Sequence, residues 1–154
     1  MKLASWHSMI SVAALLGALV GATAFVVPAG AYAQGGIAVG YTGMHDGQRG
    51  RVLVFDYRPA QSHWLFSAGN ISHTLSRDTT WVGAQYMIID RNLFAGFGPA
   101  VITHQTSTLT SQYQFITTFG LHYDHWAIAV RHISNGGTRG DNVGENLVTV
   151  AWNF

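Results

Sequence analysis

From residue 34 onwards, apolar residues alternate with polar or small residues in eight short stretches that turn signals separate. A period of two is typical of β-strands, because successive side chains of a strand point to opposite faces. The stretches cover residues 35–43, 50–58, 63–73, 79–89, 92–103, 111–123, 125–134 and 145–154. They predict an all-β fold, an eight-stranded antiparallel transmembrane β-barrel, since eight is the smallest usual strand number of such barrels.

The sixth stretch has the clearest two-faced pattern. Phe115, Phe119 and Leu121 share one face, whereas Gln114 and Thr118 lie on the other. Large apolar side chains outside and small or polar ones inside are typical of a barrel whose outer surface meets lipid. The pattern therefore favours a membrane barrel over a water-soluble sheet.

The first 33 residues follow a different pattern. Lys2 precedes an apolar run over residues 9–27, and the small-residue site Ala31-Tyr32-Ala33 follows it. This order is typical of a secretory signal peptide that is removed after residue 33. It predicts a single outer-membrane β-barrel domain over residues 34–154. An uncleaved membrane anchor is the alternative, because the run is long for a signal and only one lysine precedes it.

Loop lengths predict the orientation of the barrel. Short turns are expected at residues 58–62, 90–92 and 124–125. Longer or more polar segments are expected at residues 44–49, 74–78, 104–110 and 135–144. Outer-membrane barrels keep their short turns in the periplasm and their longer loops outside. With the first strand starting in the periplasm, the seventh strand is predicted to run outward, so His132 and Ser134 would lie near the outer-leaflet rim and face lipid. The predicted location is the outer membrane of a Gram-negative cell, which every strand crosses.

Pro99 is the residue that fits a barrel strand least well, because proline cannot donate to a hydrogen-bond ladder. Gly96 and Gly98 lie beside it in the fifth stretch. A β-bulge or a kink at this point is expected to absorb the missing donor.

Composition agrees with a membrane protein and excludes several other classes. Only 10% of the 154 residues are charged, against roughly 25% in soluble domains. The absence of cysteine excludes disulfides and thiolate metal sites, and a formal charge of +1 offers no basic patch for nucleic acid. His122 and His125 flank a turn, but the sequence shows no third metal ligand beside them. No metal and no cofactor is implied.

The candidate chemistry lies on the seventh stretch. Alternation places every second side chain on the outward face. Three apolar residues are followed there by a histidine and a serine: Trp126, Ile128, Val130, His132 and Ser134. Residues two apart on a strand are about 7 Å apart at Cα, within reach of an imidazole and a hydroxyl. A base beside a hydroxyl is the arrangement of an activated nucleophile. The spacing alone is weak evidence, because polar residues are expected at a barrel rim.

Further polar groups surround this pair. Asn135, Gly136 and Gly137 supply an amide and flexible backbone N–H groups of the kind that cradle an oxyanion. Asn146 shares its parity with the apolar outward residues of the last stretch, so it is predicted to lie beside His132 and orient its ring.

At these residues the sequence resembles the lipid A 3-O-deacylase family of PagL-type outer-membrane enzymes. The resemblance lies in the run His132-Ile133-Ser134-Asn135-Gly136-Gly137, in Asn142-Val143-Gly144, and in a final strand that ends on the aromatic Phe154. The Gly-rich segment at residues 94–100 is a weaker match.

The resemblance implies an esterase that hydrolyses the acyl chain at the 3-position of lipid A and releases a 3-hydroxy fatty acid. Ser134 would be the nucleophile, His132 the general base, and Asn135 with the backbone N–H of Gly137 the oxyanion hole. The third member is where the chain departs from the family, whose best-known form has Glu at the position that aligns with Asn146.

Glu145 stands one residue earlier and is the alternative third member. Strict alternation points Glu145 inward and favours Asn146, whereas a bulge at Gly144 would reverse that choice.

The implied partners are lipid A or lipopolysaccharide as substrate and the surrounding outer-membrane lipid. Arg139, and less strongly Arg131, are the candidates to pair with lipid A phosphates. A homo-oligomer is possible from the sequence, which does not determine the oligomeric state. The alternatives are a non-enzymatic, structural or adhesion-type small barrel, in which His132 and Ser134 are incidental rim residues, and a soluble periplasmic lipid carrier.

Overall fold

A computed structural model of the protein describes residues 34–43, 49–74, 77–138 and 143–154. The predicted signal peptide at residues 1–33 lies outside these ranges, as do Asn142 and Arg139. No helix in the described part of the chain is long and apolar enough to cross a membrane.

Eight antiparallel strands form a closed barrel in chain order, with the first strand paired to the last. The strands are β1 (Gln34–Gly43), β2 (Gly50–Arg58), β3 (Trp64–His73), β4 (Thr79–Asp90), β5 (Leu93–Ile102), β6 (Tyr113–Tyr123), β7 (Trp126–Ser134) and β8 (Glu145–Asn153). Every strand begins and ends within two residues of the stretch that alternation predicts. The predicted eight-stranded antiparallel barrel is therefore confirmed.

Side chains alternate between the interior and the outer surface along each strand. In β6, Phe119 is 58% exposed and Leu121 is 54% exposed, whereas Gln114 and Thr118 are buried. Most of the large apolar side chains of the other strands also lie outside. The predicted inside-out distribution of apolar residues is confirmed.

The two ends of the barrel interior differ. Apolar side chains fill much of the end where the longer loops leave, and they include Trp81, Ile102, Leu109, Ile116 and Ile133. Towards the short turns there is a cavity of about 280 Å³, which charged and apolar residues line together. The candidate chemistry on β7 lies on the outside of the barrel, beside the end that the apolar cluster fills.

The loop between β5 and β6, residues 103–112, folds into that apolar end. Leu109 is fully buried in the core cluster, and Thr108 and Ser111 are also buried. Thr106 N–H donates to Leu109 O at 3.0 Å, and Leu109 N–H donates to Thr106 Oγ1 at 3.0 Å. These reciprocal bonds close the loop into a compact turn inside the barrel mouth.

Of the bulge and the kink expected as alternatives at Pro99, the bulge is wrong. The pairs Gly83↔Ala100 and Tyr86↔Phe97 lie on either side of the proline and have the same register, so neither strand gains a residue. The ladder between β4 and β5 is interrupted between these pairs, which is where proline lacks its donor. The two strands approach each other closely at Gly98, where a Cβ would be 1.9 Å from the carbonyl oxygen of Ala84.

Candidate active site on the outer face of β7 and β8

The ladder between β7 and β8 is continuous from Trp126↔Trp152 to Ile133↔Glu145. Alternation therefore persists to the end of both strands, with no bulge in the ladder. His132 is opposite Asn146 in this register, and both side chains are on the outward face.

A hydrogen bond joins these two residues, with 2.9 Å between His132 Nδ1 and Asn146 Oδ1. An amide oxygen can only accept, so in this arrangement Nδ1 carries the hydrogen. The lone pair is then on Nε2, the nitrogen on the other side of the ring. The imidazole is held in the tautomer that a general base requires at Nε2.

Gly144 forms the wall against the other edge of the imidazole. A Cβ at this position would be 2.6 Å from His132 Cε1 and 2.9 Å from Nε2, and the glycine has a φ of +78°. The ladder ends with the pair Ile133↔Glu145. Ser134 and Gly144 are the next residues of the two strands, so they lie side by side at the end of the ladder. The Nε2 edge is therefore turned towards the level of Ser134.

Ser134 is half-buried on the outward face, two residues beyond His132. Within the described part of the site, its hydroxyl and the imidazole are not hydrogen bonded to each other. Such bonds are often long in substrate-free enzymes and tighten when substrate binds. The arrangement supplies a hydroxyl and an oriented base on one face of one strand.

Glu145, the alternative third member, lies inside the barrel and is 4% exposed. Its carboxylate accepts hydrogen bonds from Thr42 Oγ1 at 2.8 Å and from Thr108 Oγ1. It does not contact His132, because the uninterrupted ladder gives it the opposite parity to Asn146.

The two oxyanion-hole candidates are bonded to each other. Gly137 N–H donates to Asn135 Oδ1 at 2.9 Å. This is an Asx turn, in which the asparagine side chain binds the backbone two residues further along the chain. The Asn135 side chain is buried, and its Nδ2 lies 3.5 Å from Thr110 Oγ1. Gly136 and Gly137 have φ values of +63° and +74°, a conformation that glycine adopts without strain. Both candidates follow Ser134 within three residues, and the Gly137 N–H is already bonded to the Asn135 side chain.

Arg131, the weaker candidate for lipid A phosphate, is wrong in that role because it points into the barrel. Its guanidinium is 3% exposed and binds the Asp56 carboxylate through both terminal nitrogens, one at 3.0 Å. This pair is not among the predictions from sequence. Alternation along β2 and β7 turns Asp56 and Arg131 inward, and opposite charges facing one narrow interior are the signal that could have predicted it. Among the described residues, no cluster of three or more metal-binding side chains occurs.

An aromatic surface borders Ser134 on the side of β6. Phe115 is the cross-strand neighbour of Ser134, and its ring stacks on Phe97 with centroids 5.5 Å apart and planes at 13°. Both rings lie on the outer face, and Phe97 is 56% exposed. The candidate nucleophile is therefore at the junction of a polar rim and an apolar outer wall.

No family model and no curated protein matches this chain. Among solved structures, it is similar to the crystal structure of the outer membrane enzyme PagL. The TM-score is 0.49 and the sequence identity 15%, over 79% of this chain and 98% of that chain. Identity at this level does not assign the chain to a family.

Proposed function

We propose that the protein is an outer-membrane esterase that hydrolyses the 3-O-linked acyl chain of lipid A and releases a 3-hydroxy fatty acid. The main support is the hydrogen bond from His132 Nδ1 to Asn146, which leaves Nε2 free to take a proton near Ser134. The choice of lipid A as substrate rests on the signature that begins at His132 and on the outward position of the site.

The outer surface supports a location in the membrane. Trp126 and Trp152 meet edge to face at 4.8 Å near the short turns, and Trp64 meets Tyr86 in the same way at 5.7 Å. Girdles of aromatic residues mark the lipid–water boundaries of membrane barrels. A lipid substrate would reach an outward-facing site by moving within the membrane, without an enclosed pocket.

The proposed reaction proceeds in two halves. Ser134 Oγ attacks the ester carbonyl carbon while its proton passes to His132 Nε2, and an oxyanion forms. The bond to the 3-oxygen of the sugar then breaks, and that oxygen takes the proton from the imidazolium. In the second half, His132 accepts a proton from water, the resulting hydroxide attacks the acyl-serine, and the fatty acid leaves. Ser134 recovers its proton from His132.

Asn146 orients the imidazole in both halves, and its neutral amide stabilises the imidazolium less than a carboxylate does. A slower enzyme than one with a carboxylate at this position is expected. In this proposal the oxyanion takes the Gly137 N–H in place of Asn135 Oδ1. Asn135 would then act mainly by holding the loop, and Arg139 would pair with a lipid A phosphate.

The decisive experiment is mass spectrometry of lipid A from a Gram-negative host that keeps its 3-O-linked acyl chain and produces this protein. Wild type should remove one 3-hydroxyacyl group, and Ser134→Ala should remove none. Ser72→Ala is the matched control, because Ser72 is an exposed serine near the C-terminal end of β3, as Ser134 is at the C-terminal end of β7. It should act as wild type does.

Other outcomes of this experiment are equally informative. A folded wild-type barrel that leaves lipid A intact would refute the esterase and favour the structural or adhesion-type barrel. Activity in Ser134→Ala would mean that Ser134 is not the nucleophile. Recovery of the protein without detergent would point to the soluble lipid carrier.

A further inference from the structure

Glu145 is a buried carboxylate without a cation beside it among the residues that the structure describes. Burying such a group is costly unless hydrogen bonds replace those to water. Here the replacement comes from two threonine hydroxyls on different elements, Thr42 at the end of β1 and Thr108 in the β5–β6 loop. The carboxylate thus links β8 to two other parts of the barrel.

The hydrogen bonds around Thr108 have a defined direction. Thr108 donates its single hydroxyl hydrogen to Glu145, so the 3.0 Å contact between the hydroxyls of Thr106 and Thr108 must be donated by Thr106. Thr106 Oγ1 in turn accepts from Leu109 N–H. This chain of donors runs from the buried turn of the loop to the carboxylate, and it selects one arrangement of the loop.

Thr108 also holds the residue before Glu145. Gly144 N–H donates to the backbone oxygen of Thr108 at 3.1 Å. Thr108 therefore holds Gly144 and Glu145, one through its backbone and the other through its side chain. Gly144 lies against the imidazole of His132, and Asn146, the residue after Glu145, is hydrogen bonded to it.

We infer that Thr108 and Glu145 are positioning residues, which set the orientation of His132 from inside the barrel by holding the start of β8. The activity that they would support rests on the proposed function, whereas the hydrogen bonds themselves do not. A hydrogen bond weakens over a few tenths of an ångström and with poor alignment. A small shift at Gly144 and Glu145 would therefore release the imidazole from Asn146.

The first test compares variants of Thr108 in the purified, folded barrel with lipid A as substrate. Thr108→Val has the same shape without the hydroxyl, and it should lower kcat on the order of 10-fold with KM unchanged. Thr108→Ser restores the hydroxyl and should recover most of kcat. Ser107→Ala is the matched control in the same loop, because Ser107 is exposed, and it should behave as wild type.

Wild-type kcat in a folded Thr108→Val barrel would overturn the inference, and so would an equal loss in Thr108→Ser. If Thr108→Val does not fold, Glu145→Leu provides the same test. Leucine has no accepting oxygen, so both threonine bonds are lost. The same selective fall in kcat is expected, and unchanged kcat would overturn the inference.

A second test needs no activity. The ring ¹⁵N signals of His132, identified by their loss in His132→Gln, report which nitrogen carries hydrogen and how it is bonded. Thr108→Val should shift these signals in the same direction as Asn146→Ala does. Unshifted signals would refute the inference even if wild type deacylates lipid A. If Thr108→Val shifts the signals but the wild-type protein leaves lipid A intact, only the proposed function would be refuted.

Discussion

His132 and Asn146 are cross-strand neighbours, and their side chains are hydrogen bonded at 2.9 Å on the outer face of the barrel. The imidazole of His132 is thus oriented by a residue of the paired strand β8. Catalytic groups held by strands keep their geometry better than groups held by loops.

Replacement of Asn146 is expected to separate orientation from charge. Asn146→Ala removes the acceptor of His132 Nδ1–H and should lower kcat on the order of 100-fold. Asn146→Asp keeps the acceptor and adds a charge that stabilises the imidazolium, so kcat should rise above that of wild type. The measurement is the rate of 3-hydroxy fatty acid release from purified lipid A in detergent.

The matched control for these variants is Thr117→Ala, because Thr117 is the neighbour of His132 on the opposite strand. It should retain wild-type kcat. Wild-type kcat in Asn146→Ala, or a slower Asn146→Asp enzyme, would contradict an orienting role for Asn146.

Gly144→Ala is expected to displace the imidazole directly. The new Cβ would be 2.6 Å from His132 Cε1, and a displacement of the ring by about 1 Å should lower kcat on the order of 100-fold. Gly136→Ala is the control, because it has a similar positive φ but its Cβ would be 3.7 Å from Phe115, an ordinary contact. Both changes should cost about 1 kcal/mol of backbone strain.

Kinetics and urea unfolding of the two variants distinguish the effects. Gly144→Ala should have the lower unfolding free energy of the two, because its Cβ would also be 2.8 Å from the backbone oxygen of Ile133. In the folded fraction, a loss of kcat is expected only in Gly144→Ala. Equal kcat in both variants would mean that the wall at Gly144 does not define the position of the ring.

The strands and the two faces of the site could be predicted from sequence because both follow from local alternation. A period of two places His132 and Asn146 on the same outward side, and it turns Glu145 inward. The only requirement is an unbroken ladder, and the pairs between β7 and β8 meet it. Parity therefore identified the contact of His132 without any knowledge of the loops.

The contact of Thr108 with Glu145 could not be predicted in this way. These residues are 37 positions apart, and the path of the loop depends on how Leu109 fits among side chains from several strands. The bond between Asn135 and Gly137 is different, because it is local. An asparagine followed by two glycines is a known turn signal, and it indicates that the amide binds its own backbone.

Phe115 is expected to contribute to substrate binding and not to chemistry. Its ring lies beside Ser134 on the outer face, where an acyl chain attached to the ester would pass. Phe115→Ala should raise KM about tenfold with little change in kcat, because the lost apolar contact is made equally before and during the reaction. Release of fatty acid at varied lipid A concentration gives both constants.

Phe119→Ala is the matched control, since Phe119 is on the same face of β6, four residues further from the rim. It should leave KM unchanged. A fall in kcat in Phe115→Ala without a change in KM would instead mean that this ring affects the catalytic groups.

The ion pair inside the barrel is expected to act on stability alone. Asp56→Ala leaves the guanidinium of Arg131 buried without its counter-charge, which should lower the free energy of unfolding by about 3–5 kcal/mol. The double variant Asp56→Leu with Arg131→Met removes both charges and should recover most of this loss, because apolar side chains can fill the same space.

Urea unfolding of the barrel in lipid vesicles measures the difference, and kcat of the folded fraction should stay at the wild-type value in both variants. Arg131 directly precedes His132 but points to the opposite face, so loss of its partner leaves the outward side chains in place. An Asp56→Ala barrel as stable as wild type would mean that the interior charge finds water or another partner through the cavity at the short turns.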